Sequence, residues 1–294
     1  MFFPYRIQAR EITSLISNHP DLNFDKDYSH IQEIVGSHIT AEMIEKGLVD
    51  GTNLQESWFP TDQKFHIFIS HAHKDETLIK KFAAYLRDKF NTKVFIDSCY
   101  WGFCDKLLRQ LDNRICYYKD TNGKGWYNYN RRNFTTSLIH TMLANALLKM
   151  MHNTETIIFV DSENSLKYNK YKEGNNTPSA WIYQEIAYAN CLENRIPERW
   201  HNQIRFVNSM REGGQLRMFC ESHLPELPDT QFDVDLSQFY NLTADFIKSI
   251  PVSDPERMMN ILHLEYLKNN KILNEQRAAK HSFPRRIIIN RNKL

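Results

Sequence analysis

The stretch "FHIFISHAHKDETLIKKFAAYLRDKF", residues 65–90, carries the pattern that decides the fold. It opens with a short run of aromatic and β-branched residues, which predicts a buried strand ending near Ser70. Apolar residues then recur at helical spacing from Leu78 to Phe90, which predicts an amphipathic helix with Asp75 as its N-cap. A buried strand followed by a helix is the building unit of a parallel α/β sheet.

The same unit recurs further along the chain. Buried-type strands are predicted in "TKVFIDS" (92–98) and "TIIFVDS" (156–162), with a long helix at 135–155 between them. Weaker strand candidates are 204–209, 215–222 and 232–239, and "YNLTADFIKSI" (240–250) predicts a last helix. The fold class is therefore α/β, with a central, mostly parallel, five-stranded sheet covered by helices on both faces. Ligands of such sheets bind beyond the carboxyl ends of the strands.

Three regions are predicted along the chain. Residues 1–63 look like a helical N-terminal extension, 64–253 form the main domain with an insertion near 113–134, and 254–294 form a basic helical C-terminal extension. Residues 266–294 carry eight Lys or Arg and one acid, whereas the rest of the chain carries 29 basic and 34 acidic residues. A basic tail of this kind either binds an acidic partner surface, nucleic acid or anionic lipid, or is a solvated chain end.

Composition narrows the class of protein. The net charge of +2 over 294 residues does not predict a nucleic-acid partner. Five cysteines without paired spacing suit a reducing compartment, so a cytoplasmic location is expected. No apolar run approaches the length of about 18 residues that a membrane span needs, so no membrane association is expected.

The loop "SHAHKD" follows the first predicted strand, at the edge where ligands bind. Three interpretations stay open for it. Ser70 and Asp75 cap the helix while His71 and His73 face solvent; or the two histidines bind a metal; or the loop contacts a phosphate or ribose group at the helix N-terminus. No third ligand has the spacing of a metal site, so no metal is predicted.

The loop "DSCYWG" follows the second predicted strand. Asp97 ends the strand, and Trp101 stands beside a glycine, either as a lid over a planar ligand ring or as a core residue. The sequence has no glycine-rich dinucleotide fingerprint, no phosphate-binding P-loop and no nucleophile elbow, which argues against dehydrogenases, P-loop hydrolases and α/β-hydrolases.

The stretch "TPSAWIYQEIAYANCL" (177–192) predicts a helix that begins with Thr177 as N-cap and Pro178 at the first helical position. Glu185 falls in the middle of its apolar face, about one turn after Trp181. A carboxylate buried there is costly unless it is paired or opens into a cavity. Glu185 pairs with an Arg or Lys, or the apolar face is only half buried, or the carboxylate has a chemical role.

These segments, in this order, resemble a Toll/interleukin-1 receptor (TIR) domain of the soluble bacterial type. The motif "SAWIYQE" fits the S-x-W-x-x-x-E pattern of that family, and the resemblance covers residues 64–253. Residues 113–134 depart from a minimal TIR domain and are rich in aromatic and basic residues. That insertion is a surface hairpin with a turn at Gly123–Gly125, part of a subunit interface, or part of the substrate mouth.

The resemblance implies a flavodoxin-like TIR fold and a function. In catalytic TIR proteins the glutamate of that motif is needed to cleave the bond between nicotinamide and ribose in NAD+, which assigns the catalytic role to Glu185. Ser70, His71, Asp97, Trp101 and Trp181 are then expected to bind the substrate. NAD+ is substrate rather than cofactor, and the products are ADP-ribose, a conjugate of it, or a cyclic isomer.

The expected setting is antiphage defence, by NAD+ depletion or by an ADP-ribose-derived messenger. The expected partners are NAD+, other TIR domains by self-association, and a downstream effector or phage-derived trigger. The alternative is a catalytically silent TIR module that acts only through protein–protein contacts.

Overall fold

The structure is a computed structural model that describes residues 3–19, 55, 64–99, 108–109, 111–168, 175–192, 199 and 231–269. A 3₁₀ turn (His73–Asp75) precedes the second helix and a π-helical turn (Asp112–Cys116) precedes the fourth strand. The strands and helices, in chain order, are β1 (Phe3–Gln8), α1 (Ala9–Ile16), β2 (Ile67–Ser70), α2 (Glu76–Phe90), β3 (Val94–Ile96), β4 (Tyr117–Lys119), β5 (Gly125–Tyr127), α3 (Tyr129–Asn153), β6 (Thr156–Asp161), β7 (Lys167–Tyr168), β8 (Asn175–Thr177), α4 (Ala180–Cys191), β9 (Phe232–Val234), β10 (Tyr240–Leu242), α5 (Ala244–Ser249) and α6 (Pro255–Asn269).

Five strands form the central sheet, in the spatial order β10–β1–β6–β2–β3. Every pair of neighbours in it is parallel, with Ile69 opposite Ile96 and opposite Ile158. Strands β2, β3 and β6 are buried almost throughout because their side chains are apolar on both faces. The α/β class with a five-stranded parallel sheet, as predicted from the sequence, is confirmed.

The first strand differs from the expected helical extension over residues 1–63. Phe3–Gln8 is a strand inside the sheet, between β6 and β10, with Phe3 opposite Thr156 and Tyr5 opposite Tyr240. It occupies the fourth position of a flavodoxin-like order, counted from β2 as first strand, β3 as second and β6 as third. The strand candidates at 204–209 and 215–222, predicted for this part of the sheet, lie outside the described residues.

Helices cover the sheet in two groups. Helix α1 packs on α2 and α5, whereas α3 packs on α4. Helix α6 also joins the core, because the Tyr5 hydroxyl donates to the carbonyl of Leu262 and the Phe3 ring lies 4.6 Å from that of Tyr266. A boundary after residue 253 therefore does not separate α6 from the main domain.

The insertion near 113–134 lies apart from the central sheet. Strands β4 and β5 form an antiparallel hairpin that leads into α3, with Tyr117 opposite Tyr127. The prediction of a surface hairpin with a turn at Gly123–Gly125 matches this geometry, since Gly123 has a φ of 78° in the turn. No described helix is both long enough and apolar enough to cross a membrane.

Candidate functional site

The site lies where two adjacent parallel strands end beneath helix α4. The pairing of the two strands ends with Ile69 opposite Ile96, and the next residue along the chain is polar in each case, Ser70 in one and Asp97 in the other. Both polar side chains are buried at the carboxyl edge of the sheet, where α/β sheets bind ligands. Helix α4 brings Glu185 to the same point, so three predicted site residues meet there.

Helix α4 begins two residues later than the sequence predicts. Its N-cap is Ser179, whose hydroxyl accepts a hydrogen bond from the amide of Ile182, and the helix starts at Ala180. Thr177 instead ends β8, and its hydroxyl accepts from the amide of Ser179. The shift leaves Glu185 on the buried face that the apolar periodicity predicts.

Glu185 is 1% exposed and is held by a hydroxyl and a second carboxyl group. The Ser70 hydroxyl donates to Oε2 of Glu185, with 2.5 Å between the oxygens. Asp97 lies within hydrogen-bonding reach, and such a bond between two carboxyl groups requires that one of them be protonated. Within the described part of the chain, neither a Lys nor an Arg pairs with Glu185, so the simple ion-pair interpretation has no support there.

His71 and Ser98 extend this arrangement. Nδ1 of His71 lies 3.0 Å from Oδ1 of Asp97, and its Nε2 lies 3.1 Å from the Ser98 hydroxyl. Both residues are buried. We name these five residues the Glu185 network: Ser70, His71, Asp97, Ser98 and Glu185.

Burial and the Asp97 charge determine the protonation of the Glu185 network. Burial, and then the Asp97 charge, raise the pKa of Glu185 well above its ordinary 4.5, although the Ser70 hydrogen bond opposes this. Burial alone would lower the pKa of His71, but the charge and hydrogen bond of Asp97 outweigh it and raise that pKa above 6.5. The favoured state is a neutral Glu185 beside an ion pair of Asp97 with protonated His71.

Trp181 and Trp101 are the other predicted substrate contacts. Trp181 is partly buried, and its ring meets that of His140 on α3 edge-on, with 5.6 Å between centroids. It therefore packs between two helices, one turn before Glu185. Trp101 lies outside the described residues. The last described residue before it is Cys99. Burial raises the pKa of the Cys99 thiol to about 12, so this thiol is not a nucleophile.

The two histidines of the loop "SHAHKD" lie in different surroundings. His71 is buried in the Glu185 network, whereas His73 is exposed and lies 3.5 Å from Glu76. Asp75, expected to cap α2, instead accepts hydrogen bonds from Ser162 at 2.5 Å and Asn164 at 2.6 Å, which ties this loop to the loop after β6. The part of the structure that is described contains no group of three or more His, Cys, Asp or Glu side chains arranged to hold a metal.

Sequence reasoning missed two polar features of this edge. Ser98 contacts His71, and its only signal was its place directly after Asp97. Arg6, on β1, donates to Asp161 at the end of β6, with 2.5 Å between Nη2 and Oδ2. The sequence does not predict this pair, because it predicts a helical extension over residues 1–63 and not a strand beside β6.

Comparison with known proteins does not assign a family. No protein-family model matches the chain, and searches of curated proteins and of solved structures find no match either. Function is therefore argued from the Glu185 network and from the resemblance of the sequence motifs.

Proposed function

We propose that this protein cleaves the bond between nicotinamide and ribose in NAD+, with Glu185 as the catalytic carboxylate. The observation that carries the proposal is the burial of Glu185 at the carboxyl edge of a parallel sheet, without a cationic partner among the described residues. A carboxyl group in such a place costs stability, which is typical of residues kept for their chemistry.

The chemistry suits one carboxylate that acts by charge. Nicotinamide carries a positive charge in NAD+, so when the bond from C1′ of ribose to the ring nitrogen breaks, the bonding electrons leave with nicotinamide, which becomes neutral. No general acid is needed, unlike the case of glycosidases that expel a sugar oxygen. The ribose becomes an oxocarbenium-like cation, which an ionised Glu185 stabilises. Water then adds to C1′ and releases a proton, giving ADP-ribose; capture by another hydroxyl or by adenine gives a conjugate or a cyclic product.

The protonation of the Glu185 network fits a cationic substrate. Without substrate, burial and the Asp97 charge favour the neutral form of Glu185, because both raise its pKa. A positive charge close by favours the ionised form of a carboxyl group, so binding of the nicotinamide cation drives the proton from Glu185. In this proposal Ser70 orients the carboxylate, and His71 holds Asp97 beside it.

The setting is proposed from the resemblance to TIR proteins. It is cytoplasmic antiphage defence, by NAD+ depletion or an ADP-ribose-derived messenger, with self-association through TIR domains and a downstream effector or phage-derived trigger. The thiols of Cys99, Cys116 and Cys191 are free, which supports a reducing compartment.

A catalytically silent interaction module is the second candidate. The near-complete burial of Glu185 favours it, because a substrate must reach that carboxylate. The two candidates are separated by nicotinamide release from NAD+, measured by chromatography with the purified full chain. The assay is run over a wide range of protein concentration, because the TIR enzymes that this chain resembles complete their sites by assembly.

Glu185→Gln is the test variant, and Glu155→Gln is the matched control. Glu155 precedes β6 at the amino edge of the sheet, opposite the Glu185 network, so its replacement removes a partly buried carboxylate without touching the site. We expect Glu185→Gln to lower nicotinamide release by at least about 100-fold, the scale of losing one group that stabilises a transition-state charge. Release that Glu185→Gln leaves intact refutes the proposal.

A further inference from the structure

The hairpin segment, residues 113–134, carries most of the exposed aromatic surface that the structure describes. Tyr118 and Trp126 are 53% and 45% exposed, and the whole set contains no aliphatic side chain. Only one exposed large apolar side chain in the described residues, Tyr183, lies outside the segment. The six exposed aromatic residues of the segment are Tyr117, Tyr118, Trp126, Tyr127, Tyr129 and Phe134.

The hairpin has a fixed turn. Oδ1 of Asp120 accepts hydrogen bonds from the amides of Asn122 and Lys124 at 2.9 and 2.8 Å, and its Oδ2 accepts from the indole N–H of Trp126 at 3.1 Å. The Trp126 ring is thus held in position although one side of the hairpin is open to solvent.

A buried polar cluster fixes the base of the hairpin on helix α3. Asp112 accepts a hydrogen bond from the Thr135 hydroxyl at 2.6 Å and one from Arg132 at 3.1 Å. The amide of Asn128 donates to the carbonyl of Cys116 at 2.8 Å, which joins the end of β5 to the start of β4. These contacts give the segment a defined shape, as a docking surface requires.

The two faces of the hairpin differ. On one face the rings of Tyr117 and Tyr127 are in tilted contact, with 5.3 Å between centroids and 60° between planes, and Gly125 leaves room for the Tyr117 ring. The other face presents the cross-strand pair of Tyr118 and Trp126. Tyr118 has neither a hydrogen bond nor a ring contact with any described residue, so its ring is available to a ligand.

The charge of the hairpin segment is opposite to that of the rest of the chain. It contains five basic residues and one acid, a net charge of +4, although the whole chain carries only +2. The Lys124 ammonium lies 4.6 Å from the centre of the Trp126 ring, so charge and aromatic surface adjoin. Arg114 and Lys119 are exposed and have no acidic partner among the described residues. The segment is therefore complementary to a polyanion and repels a second copy of itself.

We propose that the hairpin segment binds single-stranded nucleic acid. Unpaired bases stack on Tyr118 and Trp126, and phosphates contact Lys119 and Lys124, which is the combination that sequence-tolerant single-strand binders use. A duplex hides the faces of its bases. A helix that lies on a lipid surface carries Trp, Phe or Leu along one face, whereas four of the six exposed rings here are tyrosines with polar hydroxyl groups. The net charge of the whole chain does not predict a nucleic-acid partner, but the positive charge that would attract one is concentrated in the hairpin segment. The proposal is independent of NAD+ cleavage.

Fluorescence anisotropy with the full chain and a labelled oligothymidine of about 20 nucleotides tests the proposal. We expect binding in about 50 mM salt that weakens as salt rises, and binding to a duplex of equal length that is at least about tenfold weaker. The double variant Tyr118→Ala with Trp126→Ala loses at least about tenfold in affinity, because each stacked base contributes strongly. Trp126→Phe keeps most of the affinity, since it keeps a stacking surface.

Controls separate the hairpin from other sources of binding. Tyr183→Ala removes the exposed aromatic residue outside the segment and leaves the affinity unchanged. Lys119→Gln with Lys124→Gln reduces the salt slope by about 1.4, for two lost phosphate contacts.

The proposal is overturned if the full chain does not bind the oligonucleotide, or if it binds the duplex equally well. Binding that survives in the aromatic double variant overturns it too, because the basic residues of 266–294 are then the site. Binding of anionic vesicles in place of the oligonucleotide contradicts it as well.

Discussion

Replacing Glu185 by glutamine is expected to stabilise the protein while it removes the chemistry. A carboxyl group whose pKa is higher in the folded chain binds its proton more tightly when the chain is folded. Its contribution to folding is therefore fully present below the ordinary pKa of 4.5 and is lost as pH rises through the folded pKa. Glutamine carries no charge and does not titrate, so the variant does not lose stability in this way as pH rises.

The size of the gain in stability follows from the contacts of Glu185. Oε1 is buried and receives no hydrogen bond from an N–H or O–H group of the described residues. A glutamine amide can accept from Ser70 and also donate to Asp97, and satisfying one buried polar atom is worth about 1–3 kcal/mol. For a chain of this size each kcal/mol raises the melting temperature by roughly 2–4 °C. The expected gain at about pH 8 is thus roughly 2–10 °C.

Thermal unfolding of both proteins at about pH 5 and pH 8 measures this effect. The gain of Glu185→Gln is expected to be largest at the higher pH and to shrink at the lower one, because about pH 5 lies close to the ordinary glutamate pKa of 4.5 and little of this contribution to folding has been lost there. Glu155 is present in both proteins at the opposite edge of the sheet and does not contribute to the difference. A variant that is less stable than the parent at pH 8, or a gain that does not depend on pH, refutes the reasoning.

Four further predictions concern the charges and the sheet. Asp97→Asn removes the charge that raises the pKa of His71, so NMR titration of that imidazole should give a lower pKa, and an unchanged value contradicts the ion pair. Glu155→Gln replaces one of the two oxygens that accept from Arg199 by an NH2 group, and the loss of that charged hydrogen bond should lower the free energy of unfolding in urea by about 1.5–3 kcal/mol, while nicotinamide release per folded molecule stays the same. The parent should also lose stability as pH falls toward about 2, the pKa of Glu155, because its carboxylate must then be protonated. A chain that begins at residue 64 lacks β1, an inner strand, and should give the circular dichroism of an unfolded protein; a cooperative melt from that chain contradicts the assigned place of β1.

The strands with uniform apolar sequence were predictable, and the first strand was not. The buried runs that end at Ser70, Ile96 and Asp161 stand out because both of their faces meet helices. Strand β1 contains Pro4 and Arg6, which argue against an inner strand. Pro4 is tolerated because it lies one residue before the pairing with β10 begins, and Arg6 because Asp161 on the neighbouring strand pairs with it. Both reasons depend on partners more than 150 residues away, which local patterns do not report.

The candidate site was predictable as a set of residues but not as a network. Strand ends indicated Ser70 and Asp97, and a carboxylate on an apolar helix face indicated Glu185. The contact between the two carboxyl groups, and the place of Ser98 beside His71, depend on how three separate elements meet in space. The charge state of Glu185 follows from that contact, so the sequence alone could not give it.

The central claim is tested most directly by nicotinamide release from NAD+ by the purified full chain, the Glu185→Gln variant and the Glu155→Gln control, each first shown to be folded. The account predicts release by the parent and the control, with a loss of at least about 100-fold in Glu185→Gln alone. Equal release by all three proteins, or no release by the parent at any concentration, would contradict it.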